Sequence, residues 1–196
     1  MIAEYKKKVE DASTLEELFA LWHRKEPESF EYTHGKRHIQ ISIDHEKNVF
    51  IADGIVNPEV WNSDDKKRIL FIMKEAYGSD WDNRTFASWL RMYHPTLPMW
   101  RRVARWTYGI QHTDANEIAR YQAKLTDEQH AESLEQIAVL NLKKSNGDSA
   151  SDYGEIDAYA MVDRLEILKE FSLIDPDIVI CGSTFGTMLT TVLQKP

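Results

Sequence analysis

Two polar side chains stand late in apolar runs, which is where an α/β protein carries its chemistry. Glu75 follows Ile69 to Met73 in RILFIMKEAYG, and Asn141 sits within Ile137 to Leu142, IAVLNL. Runs this short fit strands buried on both faces better than soluble helices. In open α/β sheets the ligand lies outside the carboxyl ends of the strands. Lys74, Glu75, Ala76, Tyr77 and Gly78 are therefore expected to form a polar turn closing the first central strand and bordering a site. The carboxylate of Glu75 is either functional or a cap for the next helix, whose dipole favours negative charge. Lys74 is placed to pair with it, and Tyr77 reads first as a packed aromatic. An amide late in a buried strand must find hydrogen-bond partners, so Asn141 either satisfies a loop backbone or contacts a ligand. Lys143 and Lys144 just beyond it either meet phosphates or lie in a solvated loop.

The elements that position these residues follow from periodicity. Ser13 to Glu16 has the form of a capping box, and Leu15, Leu18, Phe19 and Trp22 then recur at helical spacing up to Pro27. Ile39, Ile41 and Ile43 alternate with polar residues, Asp44 to Asn48 supplies a turn, and Val49 to Ala52 is expected to return as the second arm of an edge hairpin. Phe86, Trp89, Leu90 and Tyr93 mark one helix. A second, from Met99 to Tyr108, is expected to stop at Gly109 and to expose Arg101, Arg102 and Arg105. Residues 113 to 136 are polar, with Asp114 or Thr126 as helix caps. One long helix is expected from Ile156 to Ser172, then a third buried strand from Ile178 to Cys181, then a helix opened by Gly182-Ser183-Thr184. The order of strands and helices predicts an α/β three-layer sandwich around a central, mainly parallel sheet. One domain is expected over residues 1–196, with an N-terminal helix and hairpin extension in 1–62 and the core in 63–196.

Composition narrows the function classes. Of 196 residues 42% are hydrophobic and 29% charged, and the formal net charge is −8. A spread acidic excess argues against broad binding of nucleic acid, which draws affinity from a basic face. No membrane span or secretory leader is visible, so a cytoplasmic location and no membrane partner are expected. Cys181 is the single cysteine, which excludes an internal disulfide and a cysteine-held iron–sulfur cluster. The histidines show no metal-ligand spacing, so no metal and no cofactor are expected.

From Arg68 to Leu193 the layout resembles the uracil-DNA glycosylase superfamily, in particular the branch whose first motif reads GEAPG after the first central strand. Here LFIMKEAYG shares Glu75, Ala76 and Gly78 with it, while Lys74 and Tyr77 stand where that branch has Gly and Pro. Val139 to Lys144 matches a second strand ending in an asparagine and a basic residue, and Ile174 to Gly182 matches a proline followed by a strand ending in glycine. The third motif of the superfamily, His-Pro-Ser or similar after a fourth strand, is not reached before Pro196, so the resemblance implies a C-terminally incomplete domain. His94-Pro95-Thr96 has similar letters but lies between the first two central strands. The resemblance implies DNA repair chemistry: hydrolysis of an N-glycosidic bond to a nucleobase in DNA. In that scheme Glu75 directs a water or stabilises charge on the sugar, Asn141 holds the edge of an extruded pyrimidine, and Tyr77 walls the base pocket. Lys74, Gly78, Lys143 and Lys144 complete the substrate contacts, with DNA or another nucleobase-containing ligand as partner. The alternative is a non-catalytic module that binds a nucleotide, a nucleobase or a protein partner through the same pocket.

Overall fold

A computed structural model of the chain describes residues 2–34, 37–77, 84–147 and 150–193. Its strands are β1 Glu28–His34, β2 Arg37–Ile43, β3 Gly54–Ile55, β4 Ile69–Tyr77, β5 Ile137–Gly147 and β6 Ile178–Cys181. The last four form a mixed, mostly parallel sheet in the order β3-β5-β4-β6, with only β3 antiparallel, while β1 and β2 pair separately as an antiparallel ribbon. The helices are α1 Ile2–Asp11, α2 Leu15–His23, α3 Pro58–Trp61, α4 Phe86–Tyr93, α5 Pro98–Gln111, α6 Asp127–Glu135, α7 Tyr153–Val162, α8 Arg164–Ile174 and α9 Phe185–Thr187, followed by a π-helical turn at Met188–Val192. Among the described residues no helix is long and apolar enough to cross a membrane.

The central runs are apolar throughout because each face of the sheet has its own cover. Phe71, Ile69 and Val139 pack with Leu90, Trp100 and Val103 of α4 and α5. Leu70, Ile72 and Leu140 pack with Trp22 of α2, Ile156 of α7 and Ile167 of α8. Each such side chain, removed from water, contributes about 1.5–3 kcal/mol.

Several boundaries differ from expectation, each for a tertiary reason. Lys74 to Tyr77 do not turn; they continue β4, because β5 also runs on and pairs with them as far as Tyr77 opposite Gly147. The partner of β2 is β1, not residues 49–52; the chain after β2 folds back at Asp44, where Asn48 N–H meets the Asp44 carbonyl, and Phe50 bridges Ser145 of β5 instead. The cap of α2 is Thr14, which accepts from Glu17 N–H, and it is Glu17 that receives Ser13 N–H. Helix α5 passes through Gly109 to Gln111. The single long helix is two, α7 and α8, broken at Asp163, whose buried carboxylate is bonded from outside the helix by His45 and Lys25. Strand β6 pairs only with β4 and lies at the sheet edge, so it is half-exposed and not buried.

Candidate functional site

The carboxyl ends of β4 and β5 are shaped by one irregularity. Glu75 lies opposite Lys143, but the next residue, Ala76, lies opposite Asn146. Lys144 and Ser145 thus have no counterpart on β4. A bulge of this kind re-aims side chains, and here it sends neighbouring residues of β5 into different polar clusters.

The first cluster is built on Lys143. Its Nζ donates to Glu75 Oε2 at 2.9 Å and lies 3.1 Å from Glu155 Oε1 on α7. The Lys143 and Glu75 side chains are only 7% and 6% exposed. Burial opposes the charge on Lys143, but hydrogen bonds to Glu75 and Glu155 outweigh it and hold the ammonium above its usual range. The other oxygen, Glu75 Oε1, is buried with no hydrogen-bond partner among the described residues. Room for this carboxylate depends on Gly147: a Cβ there would stand 2.1 Å from Glu75 Cδ. Lys143, Ser145, Asn146, Glu155 and Tyr159 line one side of a cavity of 360 Å³, and Ile41, Ser42 and Asn48 line the other. Ser145 Oγ donates to the Tyr159 hydroxyl at 3.2 Å, and burial pushes the Tyr159 phenol up. Such a cavity offers hydroxyls and amides with one cation already neutralised, which suits a neutral, hydrogen-bonding ligand better than an anion.

The second cluster lies beneath it. Asp53 Oδ2 accepts both the backbone N–H of Asn141, at 2.6 Å, and Asn141 Nδ2, at 3.0 Å. Asp53 Oδ1 accepts from Lys144 Nζ at 2.6 Å, and Glu170 Oε2 lies 2.7 Å from the same ammonium in a contact of charge without hydrogen-bond alignment. The side chains of Lys144, Asp53 and Glu170 are all fully buried. Burial lowers the affinity of Lys144 for its proton, but Asp53 and Glu170 outweigh that and raise it. Burial, and then the neighbouring Asp53, push Glu170 well above the usual carboxylic range. The direction of that shift favours a protonated Glu170, which would leave one ammonium facing one carboxylate, the balance that a dry interior favours.

A third cluster ties the N-terminal helices to this frame. His45 Nε2 lies 2.9 Å from Asp163 Oδ2, Lys25 reaches Asp163 at 3.1 Å, and the Tyr5 hydroxyl donates to Glu166 Oε1 at 2.8 Å. Burial and the Glu166 charge raise the Tyr5 phenol, and burial raises Glu166.

The structure therefore brings Glu75 and Lys143 together and places Asn141 separately, against Asp53. Lys144, expected at a phosphate-contacting rim, is entirely buried and has both its ion-pair partners inside the core. Lys143 is likewise no solvated loop residue, because Glu75 and Glu155 enclose it. Lys74 lies 4.8 Å over the Tyr153 ring and does not pair with Glu75, and Tyr77 is 72% exposed and not packed. Gly78 lies outside the described residues. His94 accepts a structural role: its Nε2 lies 3.0 Å from Glu135 Oε1, and Glu135 also receives Asn57 Nδ2. Among the described residues no three metal-ligating side chains gather to hold an ion. Two larger concavities, of 940 Å³ between α1 and α2 and 610 Å³ between α5 and β6, have mainly apolar walls, although charged residues, Glu4, Lys8, Lys25 and Glu28 among them, also line the first.

Sequence reasoning missed Asp53, Glu155, Glu170 and Asp163. Asp53 precedes Gly54 and reads as a turn. Two of these had a usable signal: Asp163 and Glu170, together with Glu166, share their helical spacing with Ile167 and Ile174, and all five are buried. Acids on an apolar stripe mark internal partners.

No protein-family model, no curated protein and no solved structure matches the chain.

Proposed function

We propose that this chain is a uracil-DNA glycosylase-like α/β module that binds a nucleobase-containing ligand at the carboxyl ends of β4 and β5 without hydrolysing it. Its mixed, mostly parallel sheet and its motifs at Glu75 and Asn141 support the likeness. The observation that carries the non-catalytic reading is the buried pair of Glu75 with Lys143 at 2.9 Å. An acid that directs water against a sugar carbon needs its lone pairs free at the reacting centre, and Lys143 occupies one oxygen of this one. The polar cavity beside the pair, with Ser145, Asn146 and Tyr159, supplies donors and acceptors for a base without a basic rim. Recognition thus falls on the base and not on the phosphates, and binding is expected to depend only weakly on salt.

Hydrolysis of the N-glycosidic bond is the second reading, favoured by Glu75 Oε1, which is buried and unpartnered and offers one site for a water. A single experiment separates the two. Single-stranded oligonucleotides carrying one uracil are titrated against the protein by fluorescence anisotropy while free uracil is followed by mass spectrometry. Binding without release, lost in Asn146→Ala, which alters the cavity wall, is the expected result. Release abolished by Glu75→Ala establishes hydrolysis instead, and absence of both binding and release refutes a nucleobase site.

A further inference from the structure

We infer that the corner joining α4 to α5 is a docking surface for an anionic lipid bilayer, on which it seats exposed apolar side chains framed by arginines. The inference is independent of the nucleobase reading.

The charge of the chain is unevenly distributed. Residues 84–113 hold five arginines and no Lys, Asp or Glu, so this stretch carries +5 in a chain of net charge −8 and leaves −13 for the remainder. Arg91, Arg101 and Arg102 are exposed, and no carboxylate among the described residues pairs with them. On α5 the inward residues Trp100, Val103, Ala104 and Thr107 turn Arg101 and Arg102 to the outer side. The neighbouring helix α6 is acidic. Its Glu135, however, is occupied by His94 and Asn57, and Asp127, Glu128 and Glu132 make no bridge to these arginines.

The same corner is apolar at its tip. Met92, Tyr93, Leu97 and Met99 fall close together in the chain and are exposed by 64%, 53%, 61% and 47%. The backbone holds them out in a fixed shape. His94 ends α4 in the left-handed region, at a φ of 39°, and Pro98 opens α5. Behind the corner, His94 Nε2 lies 3.0 Å from Glu135 Oε1, and His130 Nε2 lies 3.1 Å from the Pro95 carbonyl oxygen. Arg84 donates to the Tyr93 hydroxyl at 3.1 Å. A corner set in advance loses little freedom on docking.

Both halves of this surface point to lipid. Arginines are attracted to an anionic leaflet within a Debye length of it, whereas acids farther away are screened. The methylenes of Met92, Leu97 and Met99 gain nothing from a sugar-phosphate chain. They partition into the boundary between head groups and acyl chains, where tyrosine also settles. Apolar insertion and a cationic patch are signals that peripheral attachment combines. Such attachment needs no spanning helix, so the missing span behind the expectation of no membrane partner does not bear on it.

Sedimentation of the full chain with vesicles tests this, using phosphatidylcholine alone or with about one-third phosphatidylserine. The expected result is co-sedimentation with the phosphatidylserine vesicles only, weakened by added salt. Arg101→Gln with Arg102→Gln should lower partitioning roughly thirtyfold, and Leu97→Ser with Met99→Ser roughly tenfold. All four positions are exposed, so these variants are expected to fold. Lys6→Gln with Lys7→Gln removes the same charge from α1, which packs on α8 on the opposite side of the sheet. That variant should lose less than about threefold. In a Cys181→Ser background, an environment-sensitive dye on Leu97→Cys should shift to the blue with phosphatidylserine vesicles, while the same dye on Ile2→Cys should not. Absence of sedimentation, or equal sedimentation with both vesicles, overturns the inference. So does a loss in the lysine variant equal to that in the arginine variant, or bound protein with an unshifted dye at position 97. Binding of a single-stranded oligonucleotide that is lost in the arginine variant, without vesicle binding, assigns the surface to nucleic acid and overturns it as well.

Discussion

Replacing Lys144 by methionine isolates what the deepest polar cluster contributes. Methionine keeps most of the aliphatic stem but not the ammonium, which lies over the rings of Trp22 and Phe19, 5.0 and 5.6 Å from their centroids. What disappears is the charge that faces Asp53 at 2.6 Å and Glu170 at 2.7 Å, with all three side chains fully buried. Asp53 keeps the two hydrogen bonds from Asn141 but loses its cation. Breaking a buried pair from one side costs about 3–5 kcal/mol, because the remaining charge stays in the interior uncompensated. For a chain of this size that lowers Tm by roughly 6–20 °C, at about 2–4 °C per kcal/mol. Urea unfolding followed by tryptophan fluorescence reads the change, with Trp22 as a reporter next to the substitution. Acid supplies the missing proton to the stranded carboxylate, so the deficit should narrow as pH falls toward 4. A deficit below about 1 kcal/mol refutes the charge account, and so does one of equal size at every pH, since lost packing alone carries no pH dependence.

Other consequences are as direct. Glu170 holds its proton more tightly folded than unfolded, so it weakens the fold as pH rises from its ordinary carboxylic range through its raised value. Glu170→Gln removes that slope, and stability measured between pH 4 and 8 should be flatter than in the wild type; an unchanged slope contradicts the assignment. Gly147→Ala places a methyl 2.1 Å from Glu75 Cδ, which must displace the carboxylate from Lys143; a loss of about 1–3 kcal/mol in urea is expected, and unaltered stability argues against the close approach. Asp163→Ala removes the carboxylate that Lys25 and His45 share at the break between α7 and α8. It should cost about 2–4 kcal/mol and speed amide exchange in α2 before the sheet, whereas uniform destabilisation contradicts a local tie.

The central strands were legible in the chain because Ile69 to Met73 and Ile137 to Leu142 are buried on both faces and have no polar period to confuse the reading. Their polar continuations were not, since Glu75 to Tyr77 of β4 remain in a strand only by pairing across the sheet with Lys143, Asn146 and Gly147 of β5. Strand β1 escaped notice because ESFEYTH packs only one ribbon and alternates weakly. The break at Asp163 leaves no mark in its own helix; it is imposed by His45 and Lys25 from over a hundred residues away in sequence. In the site, Glu75 and Asn141 stood out as polar residues in apolar runs. Their partners Lys143 and Asp53 were hidden, one by resembling a basic loop and the other by sitting in a turn signature before Gly54, whose φ of 102° does require glycine.

The most direct test of the account is to titrate isotopically labelled protein with a uracil-bearing single strand and map the amide shifts. The account predicts changes confined to the ends of β4 and β5, with the backbone of Lys143, Ser145 and Asn146 moving together. Shifts centred on the concavity between α1 and α2, or no shifts at all with the protein folded, would contradict it.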